Sequence, residues 1–240
     1  MHFLVGGTQA NAVAIDALLA PWQGVVAADS GHVSIHEAGA IEACGHKVIQ
    51  LPEKDGKLNA ADVDALATSW EQDENHDHMV MPGLVYISQP TEYGTLYSLD
   101  ELSALRAACD AHGMKLYVDG ARLAYALAAP RNNVQLSDLA RLADAFYIGG
   151  TKCGALLGEA MVFPKPSTCP HFFTLMKRRG ALLAKGMVTG IQFETLLDDG
   201  LYQQIGAQAV AQAERVSQAL KAAGWRAHAP AGDQPGVCRT

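Results

Sequence analysis

The sequence predicts an α/β protein, a mostly parallel sheet between helices on both faces. Three observations predict it. Short apolar, β-branched runs recur along the chain, and Ala/Leu-rich stretches with helix-capping residues separate most of them. The 240 residues, 49% hydrophobic and 18% charged, suffice to bury one large core.

In chain order, Phe3-Leu4-Val5 runs straight into Gly6-Gly7-Thr8, and the Ala12 to Leu19 stretch that follows reads as a helix with Thr8 at or near its N-cap. Buried strands are predicted at 24–28, 47–51, 84–88, 115–118, 145–148 and 160–163, mostly apolar, as a sheet covered on both faces requires. Asn59 opens a helix over 60–66. Ser98-Leu99-Asp100-Glu101 is a capping box opening one over 102–111. Gly45 and Gly113 stand where helices end on C′ glycines. Beyond Phe163, three prolines (Pro164, Pro166, Pro170) interrupt the chain, and 172–223 reads as helix, its last part, 201–223, amphipathic and closing at Gly224. The tail 229–236 has no periodicity.

Composition also narrows function. Lys+Arg 18 against Asp+Glu 25 gives a net charge of -7, with no basic run to grip a phosphate backbone, so nucleic acid is not an expected partner. No apolar stretch approaches the roughly 20 residues a membrane helix needs, and the first residues are too short for a signal peptide, so a soluble, cytoplasmic protein without a membrane partner is expected. Five cysteines, an odd number without a C-x-x-C pair, read as free thiols. The acidic stretch 71–78 carries His76 and His78 but no periodic scaffold, and reads as a solvated loop; no metal is expected.

Gly6-Gly7-Thr8 before a helix lets the backbone approach a ligand and turns the positive helix end toward an anion. Alone, this reads equally well as a plain capped helix. It lacks the Lys-Ser/Thr of a P-loop and the spacing of a dinucleotide fingerprint. Two further runs add weight. Leu116-Tyr117-Val118-Asp119-Gly120-Ala121-Arg122 and Phe146-Tyr147-Ile148-Gly149-Gly150-Thr151-Lys152 each place a charged residue at or just past the carboxyl end of an apolar strand, the edge where parallel sheets bind ligands. A lysine, an acid and a phosphate cradle on one edge are the three grips that pyridoxal 5'-phosphate requires.

At this point the chain resembles a known family. Gly7-Thr8-x-Ala10-Asn11, His32-x4-Glu37-x-Gly39-Ala40, Asp119-Gly120-Ala121-Arg122 and Thr151-Lys152-x-Gly154 are similar, in order and spacing, to the threonine aldolase and β-eliminating lyase family of fold type I pyridoxal enzymes. The resemblance implies a three-layer large domain over 1–200 and the start of a truncated C-terminal small domain over 201–240. It implies pyridoxal phosphate covalently held on Lys152, Asp119 at the ring nitrogen, Arg122 near the substrate carboxylate, His32 stacked on the ring, and Gly7 and Thr8 at the phosphate. It further implies a small amino acid substrate, cleavage of a threonine-like β-hydroxy-α-amino acid into glycine and an aldehyde, and a homodimer or homotetramer. A β-eliminating lyase and a catalytically inactive fragment are the alternatives.

Three departures stand out. Where bacterial members carry a Thr-His pair, this chain reads Thr91-Glu92, so Glu92 becomes the candidate acceptor of the hydroxyl proton. Met187 aligns with a phosphate-binding arginine, leaving Lys185 or Arg179 as substitutes. The family's N-terminal segment and most of its small domain are also expected to be missing.

Overall fold

The computed structural model describes residues 1–225. The chain runs through β1 (His2–Leu4), α1 (Gly7–Leu18), β2 (Gln23–Ala28), α2 (His32–Ile35), α3 (Ala40–Ala43), β3 (Val48–Leu51), α4 (Ala60–Gln72) and β4 (Met81–Ser88). It continues through α5 (Leu99–Ala111), β5 (Lys115–Asp119), α6 (Leu123–Ala128), α7 (Leu136–Leu142), β6 (Ala145–Gly149), β7 (Glu159–Val162), α8 (Phe172–Arg178), α9 (Met187–Leu197) and α10 (Leu201–Ala222).

One sheet runs β1-β7-β6-β5-β4-β2-β3, parallel from β6 to β3. Successive strand residues point to opposite faces, so Val25 and Val26, Leu84 and Val85, and Tyr117 and Val118 enter two different cores. The first core packs Val26, Val85 and Val118 against Val63, Leu102, Leu105 and Leu139 of α4, α5 and α7. The second packs Val25, Leu84 and Tyr117 against Val13, Ile41 and Phe172 of α1, α3 and α8. Helices cover both faces, giving the three-layer α/β architecture expected.

The capping signals resolve as read. Asn59 accepts a hydrogen bond from the Ala61 N–H, and Ser98 and Glu101 complete a reciprocal capping box. Gly45 and Gly113 adopt φ of 97° and 65°, the left-handed conformation that ends a helix.

Several expectations change. His2–Leu4 is an additional strand, pairing antiparallel with β7; its three residues are too few to show a period. β7 is itself antiparallel to β6, because an irregular stretch, 150–158, joins them in place of a crossover helix. Helix α1 begins at Gly7 with Gly6 at its N-cap, which places Thr8 inside the first turn rather than at the cap. The helical stretch read over 172–223 resolves into α8, α9 and α10, the last close to the amphipathic helix read over 201–223, and the breaks fall where Gly180, Asp199 and Gly200 take positive φ (66°, 48° and 70°) that no right-handed helix accommodates.

Helix α10 packs onto α6, its Tyr202 wholly buried, with the hydroxyl donating to the Gly149 carbonyl (2.9 Å) and accepting from the Ala124 N–H (3.1 Å). The first turn of α10, just past the 200/201 division, is therefore anchored to the sheet. The aperiodic tail 229–236 and Cys238 lie outside the described residues, and the four cysteines within them are free thiols.

Candidate active site

Strand register assembles the site. Ser88 ends β4 beside Asp119, the last residue of β5, while Gly149 ends β6 beside Glu159, the first of β7, and Leu4 of β1 also pairs with Glu159. All five stand at the carboxyl edge of the parallel strands, where helix N-termini and connecting loops leave a crevice. A cavity of ≈ 190 Å³ opens there, lined by residues that include Gly7, Thr8, His32, Glu92, Asp119, Arg122, Lys152 and Glu159.

Close backbone packing brings the two chemical strands together. A Cβ on Gly120 would lie 1.9 Å from the Tyr147 carbonyl oxygen, and one on Gly149 would lie 2.4 Å from that of Ala121, so only glycine fits either position. The Gly149 N–H donates to the Gly120 carbonyl at 2.9 Å. This contact fixes how Asp119 and the Thr151-Lys152 turn face one another.

Asp119 is 4% exposed and accepts four hydrogen bonds: from Asn11 Nδ2 (3.0 Å) and the Tyr86 hydroxyl (2.6 Å) on Oδ2, and from the Tyr147 hydroxyl (2.5 Å) and Ala121 N–H (2.9 Å) on Oδ1. Among the described residues it has no ion-pair partner. A buried carboxylate is costly unless hydrogen-bonded or paired, and this one is held by neutral donors alone. Burial first, and the Asp119 charge second, push the Tyr86 and Tyr147 hydroxyls well above the usual phenol range, so both stay protonated donors.

Around the cavity, His32 opens α2 with Nδ1 2.8 Å from Glu37 Oε1, a hydrogen bond that raises its pKa. Glu92 Oε1 accepts from Ser88 Oγ (2.7 Å) and from the His32 backbone N–H (3.1 Å), and burial raises its carboxyl pKa. Lys152 stands at the rim, its amine shifted down by burial and then by the Arg122 charge. Glu159 Oε2 accepts from the Gly150 N–H (2.8 Å), bracing the turn that carries Lys152.

The structure thus brings Gly7, Thr8, His32, Glu92, Asp119, Arg122 and Lys152 to one cavity. Lys185 is exposed and does not line it. Arg179 is committed elsewhere, gripping Asp16 through two hydrogen bonds of 2.9 and 2.5 Å. Residues without a role assigned from sequence are Asn11 and Glu37, both inside the quoted motifs, and Ser88, Glu159 and the tyrosines of β4 and β6. A signal for the tyrosines exists: Tyr86, Tyr117 and Tyr147 each stand two places before their strand's end, on the same face as Ser88, Asp119 and Gly149. In the 71–78 stretch, Glu71 and Gln72 close α4, and His112 reaches back to Glu71 (2.8 Å) and Asp64 (2.9 Å).

The residues suit pyridoxal phosphate. Asp119 is a buried acceptor without a cation partner among the described residues, Lys152 an amine shifted toward its neutral form, and Gly7 and Thr8 lie in the first turn of α1, where backbone N–H groups have no helical acceptor. A three-layer α/β domain with this edge is the large domain of the fold type I pyridoxal-phosphate enzymes.

Residues 1–232 match the family described as beta-eliminating lyase. The chain is 33% identical over 212 residues to a low specificity L-threonine aldolase of a Pseudomonas species, covering 87% of this chain and 60% of that protein. It is 35% identical over 188 residues to the low specificity L-threonine aldolase of Pseudomonas aeruginosa, covering 77% and 53%. A solved structure of Leishmania major threonine aldolase superposes with a TM-score of 0.88 at 47% identity, covering 94% of this chain and 65% of that one. The chain therefore belongs to the threonine aldolase and β-eliminating lyase family. It spans little more than half the length of the two Pseudomonas relatives.

Proposed function

We propose that the protein is a pyridoxal-phosphate-dependent lyase that cleaves a threonine-like β-hydroxy-α-amino acid into glycine and an aldehyde. The observation that carries this proposal is the meeting of Asp119, Lys152, Arg122 and Glu92 in one cavity at the sheet edge. Bound there, pyridoxal phosphate supplies an electron sink for a bond broken at the substrate Cα.

The chain's own groups do the rest. Asp119 keeps a ring nitrogen protonated, Gly7 and Thr8 hold the phosphate, and Lys152 Nζ is the point of covalent attachment. Arg122 binds the substrate carboxylate, fixing which substituent of Cα lies ready to break. Glu92 takes the β-hydroxyl proton on a carboxylate oxygen, and its raised pKa brings it closer to that of an effective general base at neutral pH. Exposed Leu156, Met187, Val188 and Ile191, on the loop after Lys152 and on α9, favour a second copy of the chain covering this side as a homodimer.

Product analysis tests the activity. With pyridoxal phosphate and L-threonine, the protein is expected to release glycine and acetaldehyde in equal amounts. A keto acid with ammonia would instead establish the β-eliminating reaction, and no glycine or aldehyde from any β-hydroxy amino acid would overturn the aldolase reading.

Glu92→Gln separates the steps. The glutamine carbonyl can still accept from Ser88 Oγ and the His32 N–H, so the local structure persists while the base is lost. Cleavage is expected to fall about 10²-fold, the low end for a lost general base, while exchange of the glycine α-proton is retained. His32→Asn should depress both rates. Equal losses in both assays for Glu92→Gln would remove Glu92 from the hydroxyl step.

A further inference from the structure

The His32-x4-Glu37 motif contains a buried carboxylate that the chemistry above does not use. Glu37 is 4% exposed, yet it belongs to a short turn between α2 and α3. Its Oε1 lies 2.8 Å from His32 Nδ1 and accepts from Asn11 Nδ2 at 2.6 Å. The same Asn11 nitrogen donates to Asp119 Oδ2 at 3.0 Å, while Asn11 Oδ1 accepts from the Tyr117 hydroxyl at 2.9 Å. One hydrogen-bonded chain, His32–Glu37–Asn11–Asp119, thus joins α2, the following turn, α1 and β5.

The backbone is shaped to keep Glu37 inside. Ala38 and Gly39 follow it with φ of 50° and 72°, and a left-handed alanine is a conformation that the chain adopts only where its surroundings impose it. Glu37 Oε2 is also buried and, among the described residues, without a hydrogen-bond partner, so the carboxylate is not placed there to satisfy its own polar atoms.

We propose that Glu37 is a positioning residue for His32: by accepting the Nδ1–H it fixes the ring's tautomer and orientation and leaves Nε2 as the nitrogen that exchanges protons. This rests on the active-site reading above, because it is the cavity's histidine that is being held. A carboxylate behind an imidazole sets which nitrogen carries the proton and favours the charged ring. Other groups facing His32 are Asp119 at the end of β5, Glu92 after β4, and the His36 ring on the same turn, 5.7 Å away between centroids; Lys152 and Arg122 line the same cavity. Of these, only Glu37 reaches a ring nitrogen. Asn11, shared with Asp119, ties the histidine's support to the carboxylate that anchors the ring nitrogen.

The test uses the full chain without cofactor, labelled with ¹⁵N-histidine, with the His32 ring signals assigned by their loss in His32→Asn. In the wild type, neutral His32 is expected as the Nδ1–H tautomer. Glu37→Gln keeps an acceptor for that hydrogen but removes the charge, so the tautomer is retained while the His32 titration midpoint falls by about one pH unit or more. Glu37→Leu loses both the midpoint shift and the tautomer preference. An Nε2–H tautomer in the wild type overturns the proposal even if neither variant folds, and so does an unchanged midpoint in a folded Glu37→Gln. Because no cofactor or substrate is present, such a failure is distinct from a failure of Lys152 to take up cofactor or of the protein to release glycine.

Discussion

Lys152→Ala protein is expected to take up no borohydride-stable label from pyridoxal phosphate, and to lose at least ~10³-fold in cleavage rate, the range for removal of a group that also moves protons. Three facts concentrate the effect on this one side chain. It lies past the Gly149-Gly150-Thr151 turn at the end of β6, close-packed against the Asp119-Gly120-Ala121 backbone, and it lines the cavity with Asp119. Burial and the neighbouring Arg122 charge lower its pKa, which enlarges the neutral, nucleophilic fraction at any given pH. Lys165, Lys177 and Lys185 line no part of the cavity. Borohydride reduction followed by peptide mapping of the wild type checks the assignment. Label on any of those three lysines would refute it, as would a Lys152→Ala protein that still becomes labelled at one stoichiometric site.

How much of this was legible in the sequence depends on the range over which each feature is determined. Strands buried on both faces, such as Leu84-Val85 or Val25-Val26, announce themselves because every position must be apolar. Strand direction does not: β7 carries the same apolar signature as the parallel strands, and only the short irregular stretch before it makes it antiparallel. The site divides in the same way. Asp119 and Lys152 stand out because a charge at or just past the end of an apolar run is a local anomaly, and Arg122 through the motif that the resemblance carries. Tyr86 and Tyr147 do not, since a tyrosine within an apolar strand reads as core until register places its hydroxyl against Asp119. Asn11 and Glu37 stood inside recognisable motifs, yet their partners lie 108 and 5 residues away, and only the first contact needs the whole fold. Arg179 illustrates the opposite error, a cation near the right place in sequence whose charge is spent on Asp16.

Asp119→Asn is expected to lower turnover by ~10² to 10³-fold, the loss seen when one preorganised electrostatic partner is removed from a buried site. Two consequences of the substitution act together. A neutral amide cannot hold a ring nitrogen protonated, so the electron sink is weakened at the moment a bond at Cα breaks. The amide also supplies a donor where the carboxylate supplied only acceptors. If its carbonyl keeps the bonds from Tyr147 and the Ala121 N–H, its NH₂ replaces Oδ2 and faces Asn11 Nδ2, a donor 3.0 Å away. Tyr86 can turn its hydroxyl to accept, and Tyr117 could do the same for a turned Asn11 amide, but Asn11 cannot turn without giving up its bond to the Glu37 carboxylate, which only accepts. The variant should therefore fold, while the hydrogen-bonded chain from His32 to position 119 is broken at Asn11. Steady-state rates measured beside a thermal melt of the cofactor-free protein separate the two consequences: a large rate loss with a small change in Tm marks the electrostatic one. Near-normal turnover would mean that another acid holds the ring nitrogen, and Glu37, the buried carboxylate on the other side of Asn11, is the group to substitute next.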